Sequence, residues 1–111
     1  MRLAQEPATS ITRYTTPPIQ LLVKDTDITS ADVYVTLRQG DTVLTLSGNS
    51  LTVAASGDDT SVIFQLTQEQ AGQFKKANAE VQVNWLSGGI RYATGIQKVA
   101  IFDNLLEEVI P

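Results

Sequence analysis

Histidine and cysteine are both absent from this 111-residue chain. Their absence removes imidazole as a general base or metal ligand. It also removes disulfides, thiolate nucleophiles, thiol-ligated zinc and iron–sulfur clusters, while leaving the redox compartment undetermined. Positive charge is scarce as well: eight basic against twelve acidic side chains give a net charge of −4. No basic cluster exceeds the pair Lys75–Lys76, which argues against nucleic acid as a partner, because neutralising phosphates needs a basic face. No apolar stretch approaches membrane-spanning length, so no membrane partner is expected. Near the start, Arg2 is followed by Ala4, Gln5, Glu6 and Pro7, which interrupts the apolar run of a secretory signal. Cytoplasmic synthesis without a signal peptide is therefore expected, with incorporation into a larger particle as the way out.

With 42% apolar and 18% charged residues, the chain has the balance of a compact domain rather than a disordered one. Short segments alternate apolar and polar residues, most clearly Val33–Leu37, Val62–Leu66 and Val81–Trp85, as half-buried strands do. Ile19, Leu21 and Val23 make an earlier inward set. Gly40-Asp41 predicts a hairpin joining Val33–Arg38 to Thr42–Leu46. Gly48-Asn49 precedes a short strand at Leu51–Val53, and Ser56-Gly57-Asp58-Asp59 turns the chain into Val62, Phe64 and Leu66. Ser87-Gly88-Gly89 predicts another hairpin, after which Gly95 separates Ile90–Thr94 from Ile96–Phe102 as a bulge or bend.

One helical signal stands among the strands. Thr67-Gln68-Glu69-Gln70 has the form of a capping box, Ala71 and Phe74 share a face beyond it, and Lys75 and Lys76 suit a last turn. About two turns of helix linking strands are expected. Roughly seven strands, with turns every eight to twelve residues, predict an all-β fold. The expectation is an immunoglobulin-like β-sandwich of antiparallel strands with one short helix at the crossing between sheets and Trp85 as its largest core side chain. A small β-barrel has the same pattern. Residues 1–18, polar and ending in Thr16-Pro17-Pro18, are expected as an extended N-terminal arm, either loose or ordered on a neighbour. Residues 19–111 are expected as a single domain with an apolar tail.

Candidate sites are few. Asp25-Thr26-Asp27 with Asp32 suggests calcium, but an EF-hand begun at Asp25 would want Gly and Glu where the chain has Ser30 and Thr36. A solvated turn is the simpler reading. Asp58-Asp59 adjoin at a turn, where side chains usually face water, instead of opposing each other across a cleft. No serine has a base in sight, so no enzyme, catalytic residue, metal or cofactor is expected.

Tyr34 falls on the polar face of its strand, and with Tyr92 it is a candidate for a sugar-binding or receptor-binding surface. Isolated tyrosines packing across strands are the commoner explanation. The tail supplies Leu105, Leu106, Val109 and Ile110 at helix-compatible spacing opposite Glu107 and Glu108. Four large apolar residues should bury themselves, on this domain's sheet or in a neighbouring subunit.

With these segments in view, the chain resembles a group of small immunoglobulin-like proteins encoded among the tail genes of bacteriophages and prophages of Gram-positive bacteria. These are related to the N-terminal domain of baseplate upper proteins. The resemblance rests on the polar leader ending at Pro17-Pro18, on Leu66-Thr67-Gln68-Glu69-Gln70 with Phe74, on the strand Val81–Leu86 and on the closing Leu105–Ile110. It implies a structural or adaptor role in a virion, as one copy in a symmetric assembly, and it supplies no functional residues. The expected function is thus a non-enzymatic assembly module whose partners are proteins, either copies of itself as a homo-oligomer or other tail and baseplate subunits. The alternative is a glycan- or receptor-binding β-sandwich.

Overall fold

Strict alternation sends successive side chains to opposite faces of a strand, so each apolar face must meet another sheet. The computed structural model describes residues 2–5 and 10–111 and shows how these faces meet. Residues 1 and 6–9 of the expected arm lie outside the described residues.

The smaller sheet runs in the order β1 (Leu3–Gln5), β3 (Pro18–Val23), β7 (Asp59–Gln65), β6 (Leu51–Ser56), antiparallel throughout. The larger runs β2 (Ser10–Thr12), β10 (Gln97–Phe102), β8 (Asn78–Ser87), β4 (Asp32–Gln39), β5 (Thr42–Ser47). Strand β9 (Ile90–Ala93) also pairs with β8. One sheet thus carries the A, B, E and D positions of an immunoglobulin domain, and the other the G, F and C positions with an added C′ strand. Among the described residues no strand of one sheet pairs with the other. The protein is an all-β, immunoglobulin-like sandwich.

The inward sets anticipated from alternation form the core. Ile19, Leu21 and Val23 face Val35, Leu37, Val81 and Val83 across the sandwich, and Phe64 and Trp85 fill the space between. Each such burial contributes about 1.5–3 kcal/mol before chain entropy is counted.

The N-terminal arm is extended, but it does not stand apart from the sandwich. It supplies one strand to each sheet: β1 pairs antiparallel with β3, and β2 pairs parallel with β10. Leu3 and Ile11 are buried in the core, Ile11 with 0% exposure.

On the far side of β8, β9 and β10 share one edge in succession, so they are two halves of a single interrupted strand. At the break the Thr94 side chain does the work of a backbone partner. Its hydroxyl accepts a hydrogen bond from Val83 N at 3.2 Å and donates to Gly95 O at 2.9 Å. The β8–β9 turn is the two-residue Gly88–Gly89, with φ of 59° and 79°, values that favour glycine at both positions.

Helix α1 (Gln68–Gly72) crosses from the smaller sheet to the larger, and its capping box is formed. Gln70 N donates to Thr67 Oγ1 and Thr67 N to Gln70 Oε1. At five residues it is shorter than the two turns expected, and Lys75 and Lys76 lie beyond it. Ala71 and Phe74 are fully buried beneath it.

Candidate functional site

Three parts of the chain converge at the end of the sandwich that carries α1. Arg13, just past β2, holds them together. Its Nε donates to Phe74 O at 2.7 Å and Nη2 to Gly72 O at 3.1 Å, so the guanidinium caps the carbonyl end of the helix segment. Its Nη1 pairs with Glu107 of the tail at 2.8 Å. Tyr14 adopts left-handed backbone (φ 64°) and sets its ring against both the Arg13 guanidinium, 5.4 Å from the ring centroid, and Gly72. A Cβ at residue 72 would collide with that ring.

The tail forms neither helix nor strand after Phe102. Asn104 forms a local turn: its Oδ1 accepts from Leu106 N at 3.1 Å, while its Nδ2 donates to Arg13 O at 3.0 Å. Near the end, the Gln68 amide pairs with the backbone of Ile110 in both directions, at 2.7 and 2.9 Å. The tail backbone is therefore tethered to the domain by polar bonds. Its apolar side chains stay out of the buried core. Leu105 is fully exposed, and Leu106, Val109 and Ile110 are each more than two-fifths exposed. Phe102, which ends β10 on its outer face, is 50% exposed and follows the same trend.

The two candidate tyrosines are on opposite faces of the larger sheet. Tyr92 lies directly opposite Trp85 and stacks on it, with ring centroids 5.8 Å apart and planes inclined by 18°. Tyr34 pairs with Asn84, one residue along β8, so it points the other way, to the outer face. The pair does not make a coplanar platform. Tyr34 instead borders a depression of about 330 Å³ on the outer face, with Asn84, Leu86 and Arg91.

Two of the candidate carboxylates, Asp59 and Asp27, have structural partners. Asp59, expected to face water, accepts a hydrogen bond from Lys24 Nζ at 2.8 Å and another from Asp25 N at 2.9 Å. The bond from Lys24, followed by that from the Asp25 backbone, holds its carboxyl below the usual value of 3.8. Asp27 is lowered likewise by the hydroxyl and then the backbone N–H of Thr29. Thr60 completes this end of the fold: its buried hydroxyl donates to Thr26 O at 2.7 Å and accepts from Ile28 N at 3.1 Å. Among the described residues no group of three or more acidic side chains could hold a metal ion. Nor is any helix among them long and apolar enough to cross a membrane.

No protein-family model matches the chain, and no curated protein is significantly similar to it.

Arg13, Thr94 and Gln68 carry much of this geometry; Arg13 and Thr94 did not stand out in the sequence, and Gln68 did so only as part of the capping-box segment. Each acts on a main-chain group distant in the chain, which leaves no local pattern. The near coincidence of a lone arginine with a tyrosine at a turn is the one trace Arg13 leaves.

Proposed function

We propose that this protein is a non-enzymatic assembly module that binds neighbouring protein subunits through its C-terminal tail. The observation that carries this reading is the tail's mode of attachment: it is pinned through Arg13, Asn104 and Gln68, while Leu105 is left fully exposed and Leu106, Val109 and Ile110 about half exposed. Presenting apolar side chains on a tethered strap reduces the ordering cost of binding and leaves their burial to a partner. The tail also carries Asp103, Glu107 and Glu108 with no basic residue after Lys98, which suits an apolar groove with a basic rim. The resemblance to small phage-tail proteins supports placing the module in a tail or baseplate, as one copy among several.

Sedimentation velocity of the full chain, alone and mixed with the products of its neighbouring genes, tests the proposal. Association is expected with at least one of these, and replacing Leu105, Leu106, Val109 and Ile110 by serine should abolish it. A chain that stays monomeric in every mixture, or a serine variant that associates unchanged, would overturn it.

A further inference from the structure

The outer face of the larger sheet carries a second feature that is independent of the tail. Its depression of about 330 Å³ lies within the range of small-ligand sites and is lined by Tyr34, Thr36, Thr45, Asn84, Leu86 and Arg91, together with Trp85. The chemistry of this lining is specific. Tyr34 is 41% exposed, and the hydroxyls of Thr36 and Thr45 are 3.1 Å apart across the β4–β5 pair. Asn84 Oδ1 accepts from Arg91 Nε and Nη2, both at 3.3 Å, so the guanidinium is laid across the face with Nη1 outside that pair.

Arg91 is the sole formal charge in the lining. It has no carboxylate partner among the described residues, whereas Arg38 on the same face is matched by Glu80 at 2.8 Å. Asp32 points to this face too, but it borders a different depression, on the far side of Leu86 from Arg91. In a chain of net charge −4, an unmatched guanidinium beside an exposed ring is a local reversal of sign.

We propose that this depression binds a saccharide bearing a carboxylate. A sugar ring has an apolar C–H face and a polar rim, which match the Tyr34 ring and the surrounding hydroxyls and amide. The carboxylate would take charge-assisted hydrogen bonds from Arg91. A peptide added as a strand does not fit here, because β4 and β8 are both paired along their two edges where they floor the depression.

The test is an amide-shift titration of the isotopically labelled full chain with sialyllactose and with a galacturonate oligomer, using lactose and acetate as comparisons. The expected result is that at least one acidic sugar shifts the amides of Tyr34, Asn84 and Arg91 and binds at least tenfold tighter than lactose. Arg91→Gln should weaken that binding by about tenfold or more, the loss typical of a charge-assisted contact, and Tyr34→Ala by about tenfold through loss of the stacking ring. Arg91→Gln should also erase the preference for the acidic sugar. Both changes are on exposed side chains, and the unperturbed remainder of the spectrum reports that each variant folds. The tail serine variant should bind the sugar unchanged, so failure of this proposal and failure of the assembly reading are separable. The proposal is overturned if neither acidic sugar shifts these amides, if lactose binds equally well, or if acetate alone produces the same shifts.

Discussion

The two ends of the chain exchange the roles that their compositions suggest. The N-terminal stretch is rich in threonine and serine, yet β1 and β2 enter the two sheets and bury Leu3 and Ile11. The C-terminal tail carries four large apolar residues, yet hydrogen bonds and an ion pair tether it to the domain, and none of those four side chains enters the core. A strand satisfies every second backbone group through its neighbour, so a single inward side chain per strand is enough to anchor it. A segment that ends in a local turn after Asn104 has no such ladder, and apolar content by itself does not dock it.

The sharpest way to break this contrast is at the arm. Ile11→Ala should cost about 2–5 kcal/mol in urea unfolding, as a fully enclosed isoleucine would. Next comes the node that links the two ends: Arg13→Ala removes bonds to Phe74 O and Gly72 O together with the Glu107 pair, for an expected loss of about 1–3 kcal/mol. Arg13→Lys should recover little of this, because one ammonium does not reproduce the fork that reaches three acceptors. Gly72→Ala should cost about 1 kcal/mol by forcing Tyr14 aside, and most of that cost should vanish in the double variant with Tyr14→Ala. The smallest effect is expected at the other end. Replacing Leu105, Leu106, Val109 and Ile110 by serine should cost about 1 kcal/mol or less in total, since Leu105 is fully exposed and the other three keep about half of their surface in water.

Acid titration sharpens the comparison from the opposite end of the sandwich. Asp27 and Asp59 have folded-state values below the ordinary 3.8. Their contribution is therefore complete above the ordinary carboxylate value and is lost as pH falls through the lowered ones. Asp59→Asn should flatten the acid limb of the stability curve measured by thermal unfolding, whereas Arg13→Ala should leave the share due to Asp59 in place.

Much of the fold was legible in the sequence because alternation is a local signal. Val33, Val35 and Leu37, then Val81, Val83 and Trp85, declare their faces without reference to anything distant, and Thr67 with Gln70 declares the helix start. The strands β1 and β2 were not legible: three residues are too few to show a period, and their burial depends on β3 and β10 being in place to receive them. The same limit applied at the candidate sites. Tyr34 and Tyr92 are both exposed aromatic residues on the two strands that flank β8, and only the register against Asn84 and Trp85 puts them on opposite faces. Asp59 looked like a solvated turn residue until Lys24 and the Asp25 amide were brought to it from 35 and 34 positions away.

What the sequence by itself determined, then, is the class of fold and the chemistry withheld from it. The period of two specifies sheets, and a chain without histidine or cysteine has no imidazole or thiolate to place. Tertiary structure alone decided which end is core and which is surface, and which outward residues gather around Arg91. The reason is physical: strand pairing and long-range hydrogen bonds to backbone groups join residues by position in space, and no local pattern along the chain encodes that position.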